Sequence, residues 1–552
     1  MPKAVELLRQ GRDEELWQMC CGFISLNLEQ FMAIQRRLLL EQLELLSRSR
    51  LGRKIMRGDQ PRTVAEFRQQ IPLTTYQDYC PELSEQREDT LPVKPDCWVH
   101  TSGRSGEYPC EWVPLTPAYA EELSRIMYGV GILASSRGWG DVSAVPGRPR
   151  IVYTVAPRPY FTGALAGLLA YQTPTDYLPS ADIADGLPFE ERIKLGFEQA
   201  LSRGIDYFFG LSLVLAAVGE KFSQPQDLAS LRPFLSRPRA LLRLARGLAR
   251  SKIARRPLLP RDLWSVRGII SGGLDSGVYR DTIKHLWGKY PLDTYTSTEG
   301  GIMATQTWDY GGMTFIPTLN FLEFIPEKEH FKWQLDHRYQ PKTVLLDEVT
   351  AGENYEIVIT NFHGGALVRY RLGDMVRITA RRNDKLGIEL PQMVFERRAD
   401  DLLDFVVIRL TEKSIWQAIE NTGIPYQDWA ATKQTGEPVL NLYLEPKNGC
   451  RTSPEVLARA VHEQLTRPSH DSYTTSVAHD DLSHMINFRV KVTLLPRGAF
   501  AGYIARRQAE GADLAHLKPP HINPPERVLA SLLARPVTRV TAPTKAMPVA
   551  VP

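Results

Sequence analysis

Cysteine is scarce in this chain, which has six among 552 residues. They stand at positions 20, 21, 80, 97, 110 and 450. No two of them form a C-x-x-C pair, and none has the Cys/His spacing of a zinc site. We therefore interpret them as core or incidental thiols.

Long hydrophobic runs are also missing. The longest nearly apolar stretch, 208–218, is far shorter than the ~20 residues that cross a bilayer. The first residues include Lys3, Glu6 and Arg9 instead of the apolar segment of a secretory signal. We therefore predict a cytoplasmic protein without integral membrane association.

Several common catalytic motifs are absent as well. The chain has no Walker A pattern, no G-x-S-x-G elbow, no H-E-x-x-H, and no dinucleotide fingerprint between a strand and a helix. The sequence therefore offers no residues in support of a hydrolase, a zinc enzyme or a dehydrogenase.

The net charge of +4 is small but unevenly distributed, because 232–256 contains nine basic residues and no acidic one. On a helix this segment has an apolar and a basic face. The apolar face has Leu241, Leu244, Ala245 and Leu248, and the basic face has Arg243, Arg246 and Arg250. We predict a solvated helix that attracts anionic substrates to a cleft and no nucleic-acid partner; a membrane-surface or nucleic-acid role is the alternative.

The composition is typical of a globular protein, with 43% hydrophobic and 24% charged residues. Helices are predicted over 28–50, 117–132 and 189–203, and strands over 150–155, 268–273 and 355–360. This alternation indicates an α/β architecture with a largely parallel sheet. Further strands at 439–444 and 488–494, with a helix that begins after Ser453, predict a small α+β domain at the carboxyl end.

A glycine-rich segment at 101–107 is the first candidate site. Gly103 and Gly106 let the backbone approach a ligand closely, and the hydroxyls of Thr101, Ser102 and Ser105 can donate to anionic oxygen. We interpret it as a phosphate-binding loop, with an ordinary turn as the alternative.

A second candidate loop covers 291–301, which combines an aromatic ring, four hydroxyls, a carboxylate and two glycines. Tyr295 is predicted to stack on a base, and the hydroxyls to reach phosphate or acyl oxygens. Glu299 is a candidate ligand of a magnesium ion that bridges phosphates.

The third candidate is Asp374, which follows Gly373. We expect a tight glycine turn at the end of a strand, where a carboxylate can accept both hydroxyls of a ribose. An aspartate that caps a turn is the alternative.

Together these segments resemble the ATP and AMP motifs of the acyl-adenylate-forming superfamily. In detail they are similar to the auxin-responsive Gretchen Hagen acyl-acid amido synthetases, in a bacterial-type form. The resemblance runs from about residue 30 to about residue 528. It rests on F-L-E-F-I-P at 321–326, G-E-N-Y-E at 352–356 and, as its most specific block, R-Y-R-L-G-D at 369–374.

The resemblance implies a large adenylate-forming α/β domain with mixed and parallel sheets over 1–403 and a small mobile α+β domain over 404–535. Residues 536–552 are expected to be a loose tail. A hinge is implied near 399–403, just before a strand at 405–409.

The resemblance also implies roles for individual residues. The β- and γ-phosphates would contact Thr101, Ser102, Gly103, Ser105 and Gly106; the adenine and α-phosphate would contact Thr294, Tyr295, Thr296 and Ser297, with Thr298 beside them. Asp374 and Arg398 would hold the ribose, and Phe395 would contact the nucleotide. Glu299 would ligate Mg²⁺ and act in catalysis. Lys518 would be a mobile catalytic lysine that approaches the acyl phosphate, with an ordinary surface lysine as the alternative.

The glycine loop departs from the family pattern in one respect. The family commonly has a lysine after this loop, whereas here Gly106 precedes Glu107. We predict that Arg104, where a threonine is usual, binds ATP and supplies the missing positive charge.

The implied function is an ATP- and Mg²⁺-dependent acyl-acid amido synthetase. It would join a small carboxylic acid to AMP with release of pyrophosphate, and then transfer the acyl group to an amine or amino acid. One alternative is thioester formation with coenzyme A through the same adenylate, and another is a non-catalytic nucleotide-binding homologue. The sequence does not identify the acid, the acceptor or the oligomeric state.

Overall fold

The computed structural model describes most of the chain. The described ranges are 2–101, 111–187, 189–210, 212–223, 237–271, 276–336, 338–399, 402–404, 409–434, 438–447, 452–466, 488–509 and 518–534. The expected phosphate contacts of Ser102, Gly103, Arg104, Ser105 and Gly106 lie outside these ranges, as do the expected strand residues 405–408 and the expected tail 536–552.

Two compact units make up the chain, Met1–Ala399 and Asp400–Pro552. The helices of the first unit are α1 Ala4–Arg9, α2 Asp13–Cys21, α3 Leu28–Arg48, α4 Arg50–Ile55, α5 Val64–Gln70, α6 Pro117–Ser135, α7 Phe161–Leu169, α8 Ala181–Asp185, α9 Phe189–Arg203, α10 Ser212–Ser223, α11 Pro238–Ile253, α12 Pro260–Leu263, α13 Ser276–Trp287 and α14 Glu327–Leu335. Among the described residues, we find no helix with the length and apolar character needed to span a membrane.

A short hairpin and one large mixed sheet complete the first unit. Its strands are β1 Cys97–His100, β2 Trp112–Leu115, β3 Arg150–Tyr153, β4 Asp176–Leu178, β5 Tyr207–Gly210, β6 Gly268–Ser271, β7 Leu292–Ser297, β8 Gly301–Thr305, β9 Met313–Phe315, β10 Asn320–Pro326, β11 Asn354–Asn361, β12 Tyr370–Ala380 and β13 Gln392–Arg398. The hairpin pairs β1 with β2, and the 11-stranded sheet has the order β10-β11-β12-β13-β9-β8-β7-β6-β5-β3-β4.

The direction of the strands divides the large sheet in two. From β4 to β7 the neighbours are parallel, and from β7 to β10 they are antiparallel. The predicted α/β class with mixed and parallel sheets is therefore confirmed. The prediction of a largely parallel sheet holds for only one half of it. The short connections after β7 form hairpins, which join antiparallel strands, whereas helices connect the parallel ones.

Helix α3 shows how polar residues place a helix on this sheet. Asn27 caps its first turn by accepting from the backbone N–H of Gln30. Inside the helix, the buried Gln35 amide donates to the carbonyls of Pro317 and Asn320, at 2.6 and 2.7 Å, and its oxygen accepts from Leu322 N. These bonds satisfy a buried amide and fix the helix beside β10.

The basic segment forms helix α11, as expected, but the face that it buries is not the predicted apolar face. The buried residues are Ala240, Leu244, Gly247 and Ser251. Leu248, which was predicted to be on the apolar face, is 44% exposed. Arg243, predicted on the basic face, instead donates to the carbonyls of Leu201 and Leu263. The buried face contains small residues because the packing is close. A Cβ on Gly247 would lie only 2.6 Å from a methyl carbon of Leu263.

The second unit is a small α+β domain, as predicted. Its elements are β14 Leu402–Asp404, β15 Arg409–Thr411, α15 Glu412–Asn421, β16 Tyr426–Lys433, β17 Val439–Pro446, α16 Pro454–Thr466, β18 Arg489–Leu494, α17 Ala499–Ala509 and α18 Glu526–Leu533. β17 pairs antiparallel with β16 and parallel with β18. Its core packs the buried Trp429 and strand leucines against the Leu457, Val461 and Leu465 face of α16.

Two glycines in α6 have different environments. A Cβ on Gly129 would lie 2.2 Å from the backbone oxygen of Cys20 in α2, whereas a Cβ on Gly131 would have no atom within 4 Å. The first glycine therefore permits the close approach of two helices, and the second leaves open space.

We expect Gly129→Ala to lower the free energy of unfolding by about 2 kcal/mol, because α2 and α6 must separate. Gly131→Ala is the matched control, and it is expected to be neutral or to stabilise by up to ~1 kcal/mol through helix propensity. Urea unfolding of the full chain measures both changes. Equal destabilisation by the two substitutions would contradict this assignment.

Candidate active site

Asp374 lies inside β12, not at the end of a strand as predicted. Gly373 has φ of +66°, and the register between β12 and β13 shifts one residue later, between Met375 and Val376. An irregularity of this kind redirects side chains within a continuous strand. The glycine turn expected from the sequence is therefore a local distortion, and it leaves Asp374 directly opposite Arg398 of β13.

Two side chains hold the Asp374 carboxylate. The Arg398 guanidinium donates to Oδ1 at 2.6 Å, and the Tyr295 hydroxyl donates to Oδ2 at 2.9 Å. Burial raises the pKa of Asp374, and the charge of Arg398 opposes that rise. Each carboxylate oxygen can still accept a further hydrogen bond. The arrangement can thus receive a pair of hydroxyls.

An aromatic pair lies next to this carboxylate. The ring centroids of Tyr295 in β7 and Phe395 in β13 are 6.1 Å apart, and their planes are inclined by 33°. Tyr295 is only 5% exposed, and its hydroxyl donates a hydrogen bond to Asp374. Its stacking on a base stays a prediction.

The segment 291–301 is not the loop that the sequence indicated. Residues 292–297 form β7, the next three make a turn, and β8 begins at Gly301. The alternating threonines and the tyrosine favour a strand, and that preference outweighs the turn tendency of the hydroxyls and glycines. The predicted nucleotide residues are therefore placed by the sheet.

The hydroxyls of this segment are engaged locally. Thr294 Oγ1 donates to the Ser271 carbonyl at 3.3 Å, and Thr296 Oγ1 lies 3.4 Å from Thr294 Oγ1. Ser297 Oγ accepts from Gly300 N at 2.9 Å, and Thr298 is half-buried in the turn. These contacts shape the end of β7, while contact with a nucleotide stays a prediction.

Two asparagines that sequence reasoning missed hold the turn around Glu299. Asn361 Nδ2 donates to the Glu299 carbonyl at 2.9 Å, and Asn320 Nδ2 donates to the Gly300 carbonyl at 2.7 Å. The two asparagines face each other across β10 and β11, and their side chains are joined at 2.8 Å. Only the pairing of these strands shows that they act together.

Glu299 carries an unusual electrostatic environment. Burial and the nearby carboxylate of Glu111 raise the pKa of Glu299 to about 7, while Arg398 acts in the opposite direction. Two carboxylates in a partly buried site favour a cation between or beside them. No group of three or more metal-binding side chains occurs in the described part of the chain. Glu299 nevertheless fits Mg²⁺, which commonly takes one carboxylate together with phosphate oxygens.

The described ends of the glycine loop meet near the same carboxylates. Thr101 N donates to the Glu111 carbonyl at 2.9 Å, and Glu111 N donates to Thr101 Oγ1 at 3.0 Å. The carboxylate of Glu111 accepts from the Tyr370 hydroxyl at 3.2 Å. Thr101 is thus bonded to Glu111, which lies beside Tyr370 of β12.

Arg369 and Arg371 of the R-Y-R-L-G-D segment have structural partners. Arg369 makes a buried two-pronged ion pair with Glu323 of β10, at 2.8 and 3.0 Å. Arg371 makes a similar pair with Glu356 of β11, which also contacts His330 Nδ1 at 2.6 Å. Sequence reasoning did not assign these partners, because each pair joins separate strands. The two arginines fix the strand that carries Asp374.

In the second unit, Lys518 lies beside an ion cluster. Its Nζ is 3.6 Å from an oxygen of Asp428, and the side chain is 47% exposed. His521 lies between Glu412 and Asp428, at 2.5 and 2.8 Å, and stacks on Trp429 with centroids 4.5 Å apart. Burial disfavours the imidazolium, but the two carboxylates outweigh it and raise the pKa of His521 to about 9. Sequence reasoning missed this histidine.

We expect His521→Gln to lower the free energy of unfolding by about 3 kcal/mol near neutral pH, because two carboxylates lose the charge between them. The folded pKa of His521 is raised, so its contribution is fully present below the unfolded value of ~6.5. It is lost as the pH rises through about 9. Urea unfolding between about pH 6 and about pH 10 measures this loss.

His462→Gln is the matched control, because the ring of His462 contacts the Phe488 carbonyl at 3.1 Å. Its effect should not change across that pH range. A difference between wild type and His521→Gln that is constant with pH would contradict a charged His521.

The structure thus brings several of the expected residues together in one unit. Tyr295, Phe395 and Arg398 surround Asp374, and Glu299 interacts electrostatically with Arg398. Lys518 belongs to the other unit. Its role and those of the other expected site residues stay predictions.

Comparison with known families agrees with this arrangement. The model of the GH3 family N-terminal domain matches residues 21–144, and the model of the GH3 family central domain matches residues 313–398. Over these two segments the chain is therefore similar to the GH3 family. The central-domain match contains Asp374, Phe395 and Arg398, whereas Glu299 lies between the two matched segments.

Curated relatives are similar to this chain over part of their length. The jasmonoyl–L-amino acid synthetase JAR4 of Nicotiana attenuata is 36% identical over 161 residues, which are 28% of this chain and 26% of that protein. The jasmonoyl–L-amino acid synthetase GH3.5 of Oryza sativa subsp. japonica is 25% identical over 294 residues, 50% of this chain and 48% of that protein. The chain therefore spans about a quarter to a half of the length of these relatives.

Solved structures share the fold. The AtGH3.15 acyl acid amido synthetase in complex with 2,4-DB has a TM-score of 0.60 at 16% identity, covering 93% of this chain and 95% of that one. The 2-hydroxyisobutyryl-CoA ligase in its postadenylation state has a TM-score of 0.55 at 16% identity, covering 91% of each chain. At this identity the likeness shows that the fold is shared.

Proposed function

We propose that this protein is an ATP-dependent acyl-acid amido synthetase of the GH3 type. In the first half-reaction, a carboxylate oxygen attacks the α-phosphorus of ATP, and pyrophosphate leaves. In the second, the nitrogen of an amine or amino acid attacks the acyl carbon, and AMP leaves. The intermediate anhydride is needed because a free carboxylate would have to expel oxide.

The observation that carries this proposal is the group around Asp374. Its carboxylate is held by Arg398 and Tyr295 and can accept further hydroxyl donors, as the ribose of ATP requires. Glu299 adds a second carboxylate whose charged form is disfavoured in the isolated protein. We propose that Glu299 holds Mg²⁺, which would supply positive charge at the phosphates.

The protein's own groups have positioning roles in this scheme. Arg398 favours the charged form of Asp374 and orients its carboxylate. The ion pairs of Arg369 and Arg371 keep the strand from shifting. We propose Lys518 as the cation that approaches the acyl phosphate after the small unit re-orients. A cytoplasmic location stays a prediction.

Relatives support the reaction class. The proteins that match over part of their length are synthetases of jasmonoyl–amino acid and indole-3-acetic acid–amido products. Thioester formation is the second candidate, because a coenzyme A ligase shares the fold and because α11 presents basic residues suited to an anionic cofactor. Both reactions begin with the same adenylate.

We expect carboxylate-dependent exchange between ATP and labelled pyrophosphate, assayed over aliphatic, aryl and indole acids. Asp374→Ala should lower kcat/KM for ATP about 100-fold, since it removes a charged acceptor of two hydrogen bonds. Asp384→Ala is the matched control, because Asp384 is 76% exposed and lies on the surface beside Arg382. Nucleotide binding without exchange for any acid would instead favour a non-catalytic homologue.

Product analysis separates the two transfer reactions. With the best acid from the exchange assay, amino acids should give an amide and AMP, and coenzyme A should give little or no thioester. Efficient thioester formation with no amide would contradict the amido-synthetase proposal while leaving the adenylation step intact.

A further inference from the structure

A cavity lies in the first unit between two helices and the parallel half of the large sheet. It has a volume of about 70 Å³. Among its lining residues are Met127 and Gly131 of α6, Ala166 and Leu169 of α7, Ile270 of β6 and Ile302 of β8. None of the described residues that line it is charged.

Most of the hydroxyls around the cavity are bonded within the protein, and Thr162 adds one for which the described residues supply no bond. The hydroxyls of Tyr153, Tyr177, Tyr207, Thr154 and Thr173 bond to Asp185, Ala166 O, Ser135, Phe209 O and Gly147 O, respectively. The Tyr128 hydroxyl has no partner in the described part of the chain, but its oxygen has less than 1 Å² of accessible surface and is not open to the cavity. A charged or strongly polar occupant would therefore lose more hydration than the few available hydroxyls replace, whereas a hydrocarbon has no such loss.

One end of the cavity lies at the carboxyl ends of the parallel strands, in the same sheet that carries the candidate active site. Its lining includes Phe209 and Ile270, each one residue before the carboxyl end of its parallel strand. Ser271, which follows Ile270, accepts the hydrogen bond from Thr294. Ile302 stands three residues after Glu299. Ligands of parallel α/β sheets bind beyond the carboxyl ends of the strands. The cavity and the candidate nucleotide residues both lie at these ends, so one acid could place its hydrocarbon part in the cavity and its carboxylate near the nucleotide.

Gly131 is the position where the helix leaves room for an occupant. It lines the cavity, and a Cβ added there would meet no atom within 4 Å. Glycine is a poor helix former, and here it is not required by close helix packing, in contrast to Gly129. A Cβ at position 131 would therefore occupy space that no protein atom fills.

We propose that this cavity binds the hydrocarbon part of the carboxylic acid substrate and that Gly131 sets the size of the acyl group accepted. The proposal rests on the proposed acyl activation and specifies its substrate class. The acid has a compact hydrocarbon group with no second charged or hydrogen-bonding group. Since apolar cavities of ~150 Å³ hold a benzene ring, short linear or branched aliphatic acids fit better than indole acids or long fatty acids.

The test compares pyrophosphate exchange over a series of linear acids from acetate to octanoate, with isobutyrate, hydroxylated analogues and indole-3-acetate. Wild type should prefer a short unsubstituted acid. Gly131→Val should lower kcat/KM for that acid at least tenfold and move the optimum to a shorter acid, with the KM for ATP unchanged. Gly131→Ala should cause a smaller shift in the same direction.

Gly167→Val and Gly167→Ala are the matched controls. Gly167 lies on the exposed side of α7, and a Cβ there would also meet no atom within 4 Å. These variants should keep the wild-type acid profile. A profile unchanged by Gly131→Val, or a wild-type preference for hydroxylated or indole acids, would overturn the proposal.

Binding of pentanoate in the absence of ATP, measured by saturation-transfer NMR, distinguishes this proposal from the proposed function. We expect Gly131→Val, but not Gly167→Val, to weaken it. If no acid supports exchange while this pattern is seen, the adenylation proposal fails and the cavity assignment stands. If exchange is robust, but Gly131→Val changes neither the acid profile nor pentanoate binding, the cavity assignment fails and adenylation stands.

Discussion

The buried ion pair between Arg369 and Glu323 is the contact on which the rest of the site depends. Arg369 also donates to the carbonyls of Arg68 and Ile71, so one guanidinium joins β12, β10 and the end of α5. Because both charges are withdrawn from water, the loss of either would leave the other unpaired. This cost fixes the start of the strand that carries Asp374. The position of the candidate carboxylate, Asp374, therefore depends on a neighbouring structural charge.

Charge is distributed unevenly around the candidate site. Asp374 has a cation and a phenol as partners, whereas Glu299 lies near a second carboxylate and has a raised pKa. The two carboxylates thus suit different ligands. A paired carboxylate can accept hydroxyl donors, and a carboxylate beside a like charge gains most from a cation. This difference supports a ribose at the first and magnesium at the second.

Two glycines of α6 have different functions: one allows close helix packing, and the other leaves space for the proposed substrate. Gly129 and Gly131 are two residues apart in α6 and look alike in the sequence, yet only the first lies against a neighbouring helix. The second lines the largely apolar cavity. A helix therefore has one face adapted to a close contact and another adapted to leave space.

The sequence by itself determined the similarity to the GH3 family, the two-part α/β and α+β architecture, and the residue types of the candidate site. These follow from local periodicity and from contiguous motifs such as R-Y-R-L-G-D. Its errors arose where local signals competed: hydroxyls and glycines indicated a loop where β7 runs, and leucines indicated a buried face that α11 exposes. Only the tertiary structure decided that Arg369 is structural, that His521 is clamped between carboxylates, and that Gly131 opens on a cavity. Each of these depends on contacts between segments far apart in the chain, which spacing along one segment does not encode.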